Sequence, residues 1–85
     1  MGLKLRVYWF DNKTEDFVGE EYSKDFGDDD FLIGETVNPQ NENIINNGEF
    51  DLEKEWVDTI QKHITHKIEQ NKYDYFIAFA YRDKW

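Results

Sequence analysis

The chain contains no cysteine. No disulfide can therefore brace it, and a zinc site built on thiolates is excluded. Proline occurs once. Cations are scarce: ten Lys and Arg stand against nineteen Asp and Glu, for a net charge of −9. That balance leaves no basic patch for nucleic acid and repels both nucleic acid and anionic membranes. Long apolar runs are missing as well. No window approaches the roughly 20 residues of a membrane span. Met1-Gly2-Leu3-Lys4 alternates at once instead of opening the apolar run that export requires. Arg6 stands where a myristoylation signal prefers a hydroxyl residue. The expectation is a soluble, cytoplasmic protein.

What the sequence has is aromatics and acid. Phe, Tyr and Trp make up 18% of the 85 residues. A single domain over residues 1–85 can use them to build a compact core, because each buries a large area. They also serve well at interfaces. The acid is concentrated. Between residues 15 and 35, nine carboxylates face one cation, Lys24, for a net −8 over 21 residues. Nearly all the excess charge of the chain lies there, and such a field attracts a basic partner.

Leu3, Leu5, Val7 and Trp9 alternate with Lys4, Arg6, Tyr8 and Phe10, the period of a strand whose first set faces the core. Asp11-Asn12-Lys13-Thr14 supplies a turn, and the segment from Phe17 to Ser23 returns as its hairpin partner. Gly19 in it permits a bulge. Lys4 and Arg6 can pair across the hairpin with Glu20 and Glu21. Next comes a loop in which Gly27 takes positive φ. Asp28 to Asp30 are placed to cap a short helix at Phe31-Leu32-Ile33, ended by Gly34. Residues 36–48 read as an ordered loop anchored by Ile44 and Ile45, closed by the turn Asn46-Asn47-Gly48. Glu49-Phe50-Asp51 is brief and extended. Asp51 is placed to cap a helix that starts at Leu52 and whose apolar face is Leu52, Trp56, Val57 and Ile60. Ile64, His66 and Ile68 alternate, which predicts a strand over 62–69. Tyr75, Ile77, Phe79 and Tyr81 alternate with Asp74, Phe76, Ala78 and Ala80 in the clearest strand of all. The fold class is α+β: a four-stranded antiparallel β-sheet with one or two short helices and long ordered loops.

Catalytic signatures are absent from the sequence: no Ser/His/Asp or Cys/His arrangement and no phosphate-cradling glycine loop. Carboxylate pairs mean little among so many acids, and so short a chain leaves little room for a cleft. No cofactor is called for. A metal is a poor fit. Asp28-Asp29-Asp30 are consecutive, whereas calcium loops alternate their ligands. His63 and His66 would lie on opposite faces of a strand. Helix capping, or a solvated acidic surface aimed at a partner, accounts for the acid run. Phe10 and Phe76 are predicted off the core face, and Phe17 opens the acidic strand beside Asp16. They either pack under a loop on that second face or form an apolar cluster ringed by acid, the anatomy of an interface hot spot.

Several runs resemble the immunity proteins of cloacin and the ribosome-cleaving colicins. They are Met1-Gly2-Leu3-Lys4-Leu5, Trp9-Phe10-Asp11, Thr14-Glu15-Asp16-Phe17, the long run from Gly19 to Asp29, Asn46-Asn47-Gly48, Phe50-Asp51, Glu55-Trp56-Val57, Tyr75-Phe76 and Tyr81-Arg82-Asp83. Residues 30–45 depart from the family pattern. The resemblance implies a non-catalytic inhibitor. Its partner is the basic C-terminal ribonuclease domain of a cognate toxin, which cuts 16S ribosomal RNA in the decoding region. The inhibitor binds one-to-one in the producer's cytoplasm and leaves the cell with the toxin. It acts either by covering the catalytic cleft or by blocking approach to the ribosome. Glu49 occupies a position of the Asn-Asn-Gly-x-Phe-Asp motif where members differ and which is associated with toxin specificity. The expected contacts are then Phe10, Phe17 and Phe76 as anchors, Glu20 and Glu21 as charged partners and Glu49 for selectivity. Asp16, Asp28 and Asp29 act as steering charges. The free protein is expected as a monomer or weak homodimer. The rival reading is an acidic nucleic-acid mimic that inhibits an unrelated nuclease or DNA-binding protein.

Overall fold

In a computed structural model, residues 2–37, 45, 48–82 and 84 are described. The two longest alternating segments form the centre of the sheet. Strand β1 (Gly2–Asp11) and strand β4 (Tyr73–Arg82) run antiparallel over their full length. The hairpin partner β2 (Phe17–Tyr22) flanks β1, and the short β3 (Phe50–Asp51) flanks β4, for the order β2-β1-β4-β3. Helix α1 (Phe31–Glu35), a 3-10 turn (Lys54–Trp56) and helix α2 (Val57–Gln61) complete the described elements.

The register explains the two faces. Leu3 pairs with Tyr81, Leu5 with Phe79, Val7 with Ile77 and Trp9 with Tyr75, so the core-facing sets of β1 and β4 meet directly. Leu32 and Ile33 of α1, Ile60 of α2, and Leu52 and Ile64 close over them. Leu5, Val7, Leu32, Ile60 and Ile77 are sealed from solvent, each side chain contributing about 1.5–3 kcal/mol. The opposite, outer face carries Lys4, Arg6, Tyr8 and Phe10 against Ala80, Ala78, Phe76 and Asp74.

A bulge does form beside Gly19, with Val18 as its extra residue. Trp9 pairs with Gly19 but Phe10 pairs with Phe17, so the register slips by one residue there. A Cβ on Gly19 would sit 3.0 Å from the Trp9 ring; the absent side chain lets the edge strand lie on the indole. Past Tyr22 the hairpin is tied by Ser23. Its buried hydroxyl accepts the Leu5 N–H at 2.9 Å and donates to the Lys24 carbonyl at 2.8 Å. Ser23→Ala leaves that N–H unpaired and is expected to lower unfolding free energy by about 1–2 kcal/mol. An unchanged thermal midpoint would show that the Leu5 N–H does not need the hydroxyl.

Three sequence expectations are corrected. Residues 62–69 form turns and bends, not a strand, and the fourth strand is Phe50–Asp51. The alternation of Ile64, His66 and Ile68 marks burial alone. The backbone there bonds to side chains instead of a ladder: Glu21 takes the Thr65 and His66 N–H groups, and Gln61 takes the Ile68 N–H while donating to the His66 carbonyl. Asp51 lies in β3 and caps nothing; the helical segment begins at Lys54 without a side-chain cap. Gly34 does not end α1, which runs on to Glu35. Thr36 closes it, its hydroxyl donating to the Leu32 carbonyl at 2.8 Å.

The capping expectation for Asp28 to Asp30 narrows to one residue. Asp29 accepts the Phe31 N–H at 3.0 Å, while Asp30 makes no capping bond. Gly27 takes φ 67, as expected. The turn at Asn46 and Asn47, and the Ile44 anchor, lie outside the described residues; Ile45 packs on the core and bridges to Phe79. Among the described residues no helix is long and apolar enough to cross a membrane.

Candidate functional site

The outer face of the sheet brings the predicted aromatics together. Phe10 follows Tyr8 on the same side of β1, and Phe76 pairs with Tyr8 across to β4. The bulge at Gly19 delivers Phe17 opposite Phe10. Without that slip, Phe17 would be out of phase with the outer set. The rings then interlock. Tyr8 and Phe76 stack at 5.5 Å between centroids. Phe10 meets Tyr8, Phe17 and Phe76 edge-on at 5.9, 5.6 and 5.8 Å. Edge-on and offset packing suits the ring quadrupoles. The cluster holds its shape through its own contacts and still presents an open surface: Phe17 is 54% exposed, Phe10 and Phe76 are half-buried, and Tyr8 fills the floor at 5%.

Acid surrounds the cluster. Phe10 and Phe76 line a shallow depression with Glu15 and Asp74. Asp51 pairs with Phe76 from β3. Glu20 pairs with Tyr8 from β2 and holds Arg6 through two contacts, Nε at 2.8 Å and Nη2 at 2.7 Å. Glu49 lies on the other side of Arg6, 4.0 Å from Nη1. The Arg6 guanidinium rests over the Tyr8 ring, 4.2 Å from its centroid, a cation–π arrangement. The Tyr8 hydroxyl below is sealed from solvent without a well-formed hydrogen bond. Burial first, and then the neighbouring Glu49 carboxylate, push this phenol far above its ordinary titration range. It stays neutral at any physiological pH.

Of the six expected contact residues, five share this face: Phe10, Phe17, Glu20, Glu49 and Phe76. Glu21 does not. It pairs with Val7 and points to the core side, where its carboxylate grips the loop after α2. It accepts the Thr65 N–H at 2.7 Å, the Thr65 hydroxyl at about 3 Å and the His66 N–H at 2.9 Å. Burial would raise its pKa, but these donors outweigh burial and hold it below the ordinary value. Asp16 sits in the hairpin turn beside Phe17, its carbonyl accepting the Asp11 N–H. Asp28 and Asp29 are at the far end of the sheet. Asp28 accepts the Tyr81 hydroxyl at 2.9 Å, and Tyr81 pairs with Leu3. Seven residues along β1 separate that end from Phe10, about 23 Å.

The sequence reading placed Tyr8 on this face but gave it no role, and it overlooked Asp51 and Asp74. Parity with Phe10 and Phe76 was the signal for Tyr8 and Asp74; Asp51 offered none, since it joins them only through the pairing of β3 with β4. Neither histidine is placed for metal chemistry. His66 stacks on Trp9 at 4.0 Å and bonds the Tyr75 hydroxyl at 2.8 Å. His63 packs edge-on against Phe26 and Phe31, and its burial lowers its pKa. Among the described residues no group of three or more acidic, His or Cys side chains could hold a metal.

A family model described as cloacin immunity protein matches residues 2–82, nearly the whole chain. The chain belongs to the cloacin immunity protein family. It is thus a bacteriocin immunity protein, an inhibitor and not an enzyme. An inhibitor without catalysis works by contact alone, so a cloacin immunity protein must devote some surface to a partner. The acid-ringed aromatic face has the composition that contact requires: a few large apolar anchors at the centre and a polar rim.

Proposed function

We propose that the outer face binds the basic C-terminal ribonuclease domain of a cognate cloacin- or colicin-type toxin, one-to-one. By doing so it stops the toxin cutting 16S ribosomal RNA in the cytoplasm of the producing cell. One observation carries the reading: Phe10, Phe17 and Phe76 converge with Tyr8 into a single exposed cluster ringed by Glu15, Glu20, Glu49, Asp51 and Asp74. A domain that binds RNA is basic, so the rim meets its complement while the rings supply the dehydrated centre. Phe10, Phe17 and Phe76 act as anchors, Glu20 as a charged partner, and Glu49 at the position that selects the toxin. Asp16 belongs to the rim. Asp28 and Asp29 steer only at low ionic strength, since about 23 Å exceeds the screening length of about 8 Å at physiological salt.

The two kinds of contact separate kinetically. Raising salt from about 0.02 to 1 M is expected to slow association with the toxin domain by about 10- to 100-fold, with dissociation changing less than about threefold. Stopped-flow mixing for association and competitor chase for dissociation measure the two rates. An acidic nucleic-acid mimic without apolar anchors would instead lose binding almost entirely at high salt. The functional test is protection of in vitro translation from purified ribosome-cleaving toxin domains. Full protection at one equivalent is expected, and no protection by any of them would refute the assignment.

A further inference from the structure

We propose that Arg6 is a specificity-determining residue. With Glu49 4.0 Å away it presents a charge pair, held in place at its Arg6 end, that admits a toxin presenting the opposite pair, an acidic group toward Arg6 beside a basic group toward Glu49. This rests on the outer face being the toxin-binding surface.

The placement comes from the sheet register. Arg6 pairs with Ala78 on β4, and continuing the β3–β4 register by one residue beyond Phe50 and Ile77 sets Glu49 against the same alanine. Arg6 and Glu49 therefore flank a methyl group, with nothing large between them, and the guanidinium reaches across to 4.0 Å. Of the cations that β1 and β4 set on the outer face, Lys4, Arg6 and Arg82, it is Arg6 that abuts the aromatic cluster.

Arg6 is also held in orientation. Two contacts to Glu20 fix one edge of the guanidinium, and the Tyr8 ring fixes its plane. The Arg6 side chain is 27% exposed, whereas Glu49 is 59% exposed. A planar cation clamped in this way is a feature of fixed shape that a partner must match. The buried Tyr8 hydroxyl, which lacks a well-formed bond of its own, completes the floor of the pair.

Such a pair adds little to long-range steering, because its two charges largely cancel at a distance. It acts once water leaves the interface. A toxin with a basic group over Arg6 then buries two like charges, and that repulsion rejects it. Steering alone leads to the opposite expectation for Arg6→Gln, which takes the protein from −9 to −10 and would strengthen binding to every basic domain.

The test uses the full chain and the ribonuclease domains of cloacin and of the ribosome-cleaving colicins, purified separately. The quantity read is the affinity for the best-bound domain divided by that for the next. Arg6→Gln is expected to reduce this ratio at least about tenfold, weakening the best-bound domain while strengthening others. Arg6→Lys, which keeps the charge but loses the planar fork that Glu20 and the Tyr8 ring hold, should restore it only in part, to a value between those of Arg6→Gln and the unmodified protein. Glu49→Gln should reduce the ratio similarly, and the double variant Arg6→Gln/Glu49→Gln should be no worse than either alone, since the pair is read as a unit. A ratio within about twofold of the unmodified protein for Arg6→Gln, or single effects that multiply in the double variant, would overturn the role of Arg6. Failure of the unmodified protein to bind any of the domains would overturn the proposed function on which this rests. Thermal midpoints of all variants guard against a folding effect; the Arg6 side chain lies on the face away from the core.

Discussion

Phe76→Ala is expected to speed dissociation of the toxin complex by about 30- to 700-fold, the equivalent of about 2–4 kcal/mol. The reason is position. Phe76 lies on a central strand, stacks on Tyr8 and meets Phe10 edge-on. It is half-buried before the partner arrives, so little freedom remains to be lost on binding. Truncation removes its own contact with the toxin and also the support that holds Phe10. Phe17 is a useful contrast. It stands on the edge strand, 54% exposed, with one ring contact to Phe10, and Phe17→Ala should cost about tenfold. Neither ring belongs to the core on the other side of the sheet, so both variants should stay folded. Association should scarcely change, because no charge is altered. A Phe76→Ala dissociation rate within about threefold of the unmodified protein would remove Phe76 as an anchor.

The outer aromatic face was legible in the sequence because strand parity is a local property. Once Leu5, Val7 and Trp9 are assigned to the core, Tyr8 and Phe10 must lie opposite, and Ile77 and Phe79 send Phe76 to the same side. Parity failed where the backbone slipped. Glu20 and Glu21 are neighbours, so one of them had to face inward. The bulge beside Gly19 sets the phase, and no local pattern reveals which carboxylate it turns toward the core. It failed again at residues 62–69, where alternation reported burial without reporting what the backbone bonds to. The pairing of Arg6 with Glu49 joins residues 43 apart in sequence and exists only because β3 adds to the sheet beside Ala78. A two-residue strand carries almost no periodic signal. These failures share one cause: each depends on which distant group completes a hydrogen bond or charge pair.

Glu21 shows what that cause is worth. Glu21→Ala is expected to lower the unfolding free energy by about 3 kcal/mol, because it strips two backbone N–H groups and a hydroxyl of a charged acceptor. For a domain of this size that is a fall in midpoint of about 12–24 °C. The loop it releases carries Ile64, which caps the core, and His66, which covers Trp9. The pH dependence follows from the depressed pKa. The stabilisation is fully present above the ordinary value of 4.5 and fades as pH falls through the lower folded value. The unmodified protein should therefore lose stability on acidification below about pH 4.5, and Glu21→Ala should lose less over the same range. Toxin binding separates this residue from its neighbour. Glu21 points away from the outer face, so dissociation from folded Glu21→Ala, measured well below its midpoint, should stay within about threefold of the unmodified protein. Glu20→Ala should do the reverse, melting normally while weakening the complex, since Glu20 holds Arg6 at the surface. A Glu21→Ala protein that melts normally but releases the toxin at least about tenfold faster would exchange the roles of the two carboxylates and return Glu21 to the interface.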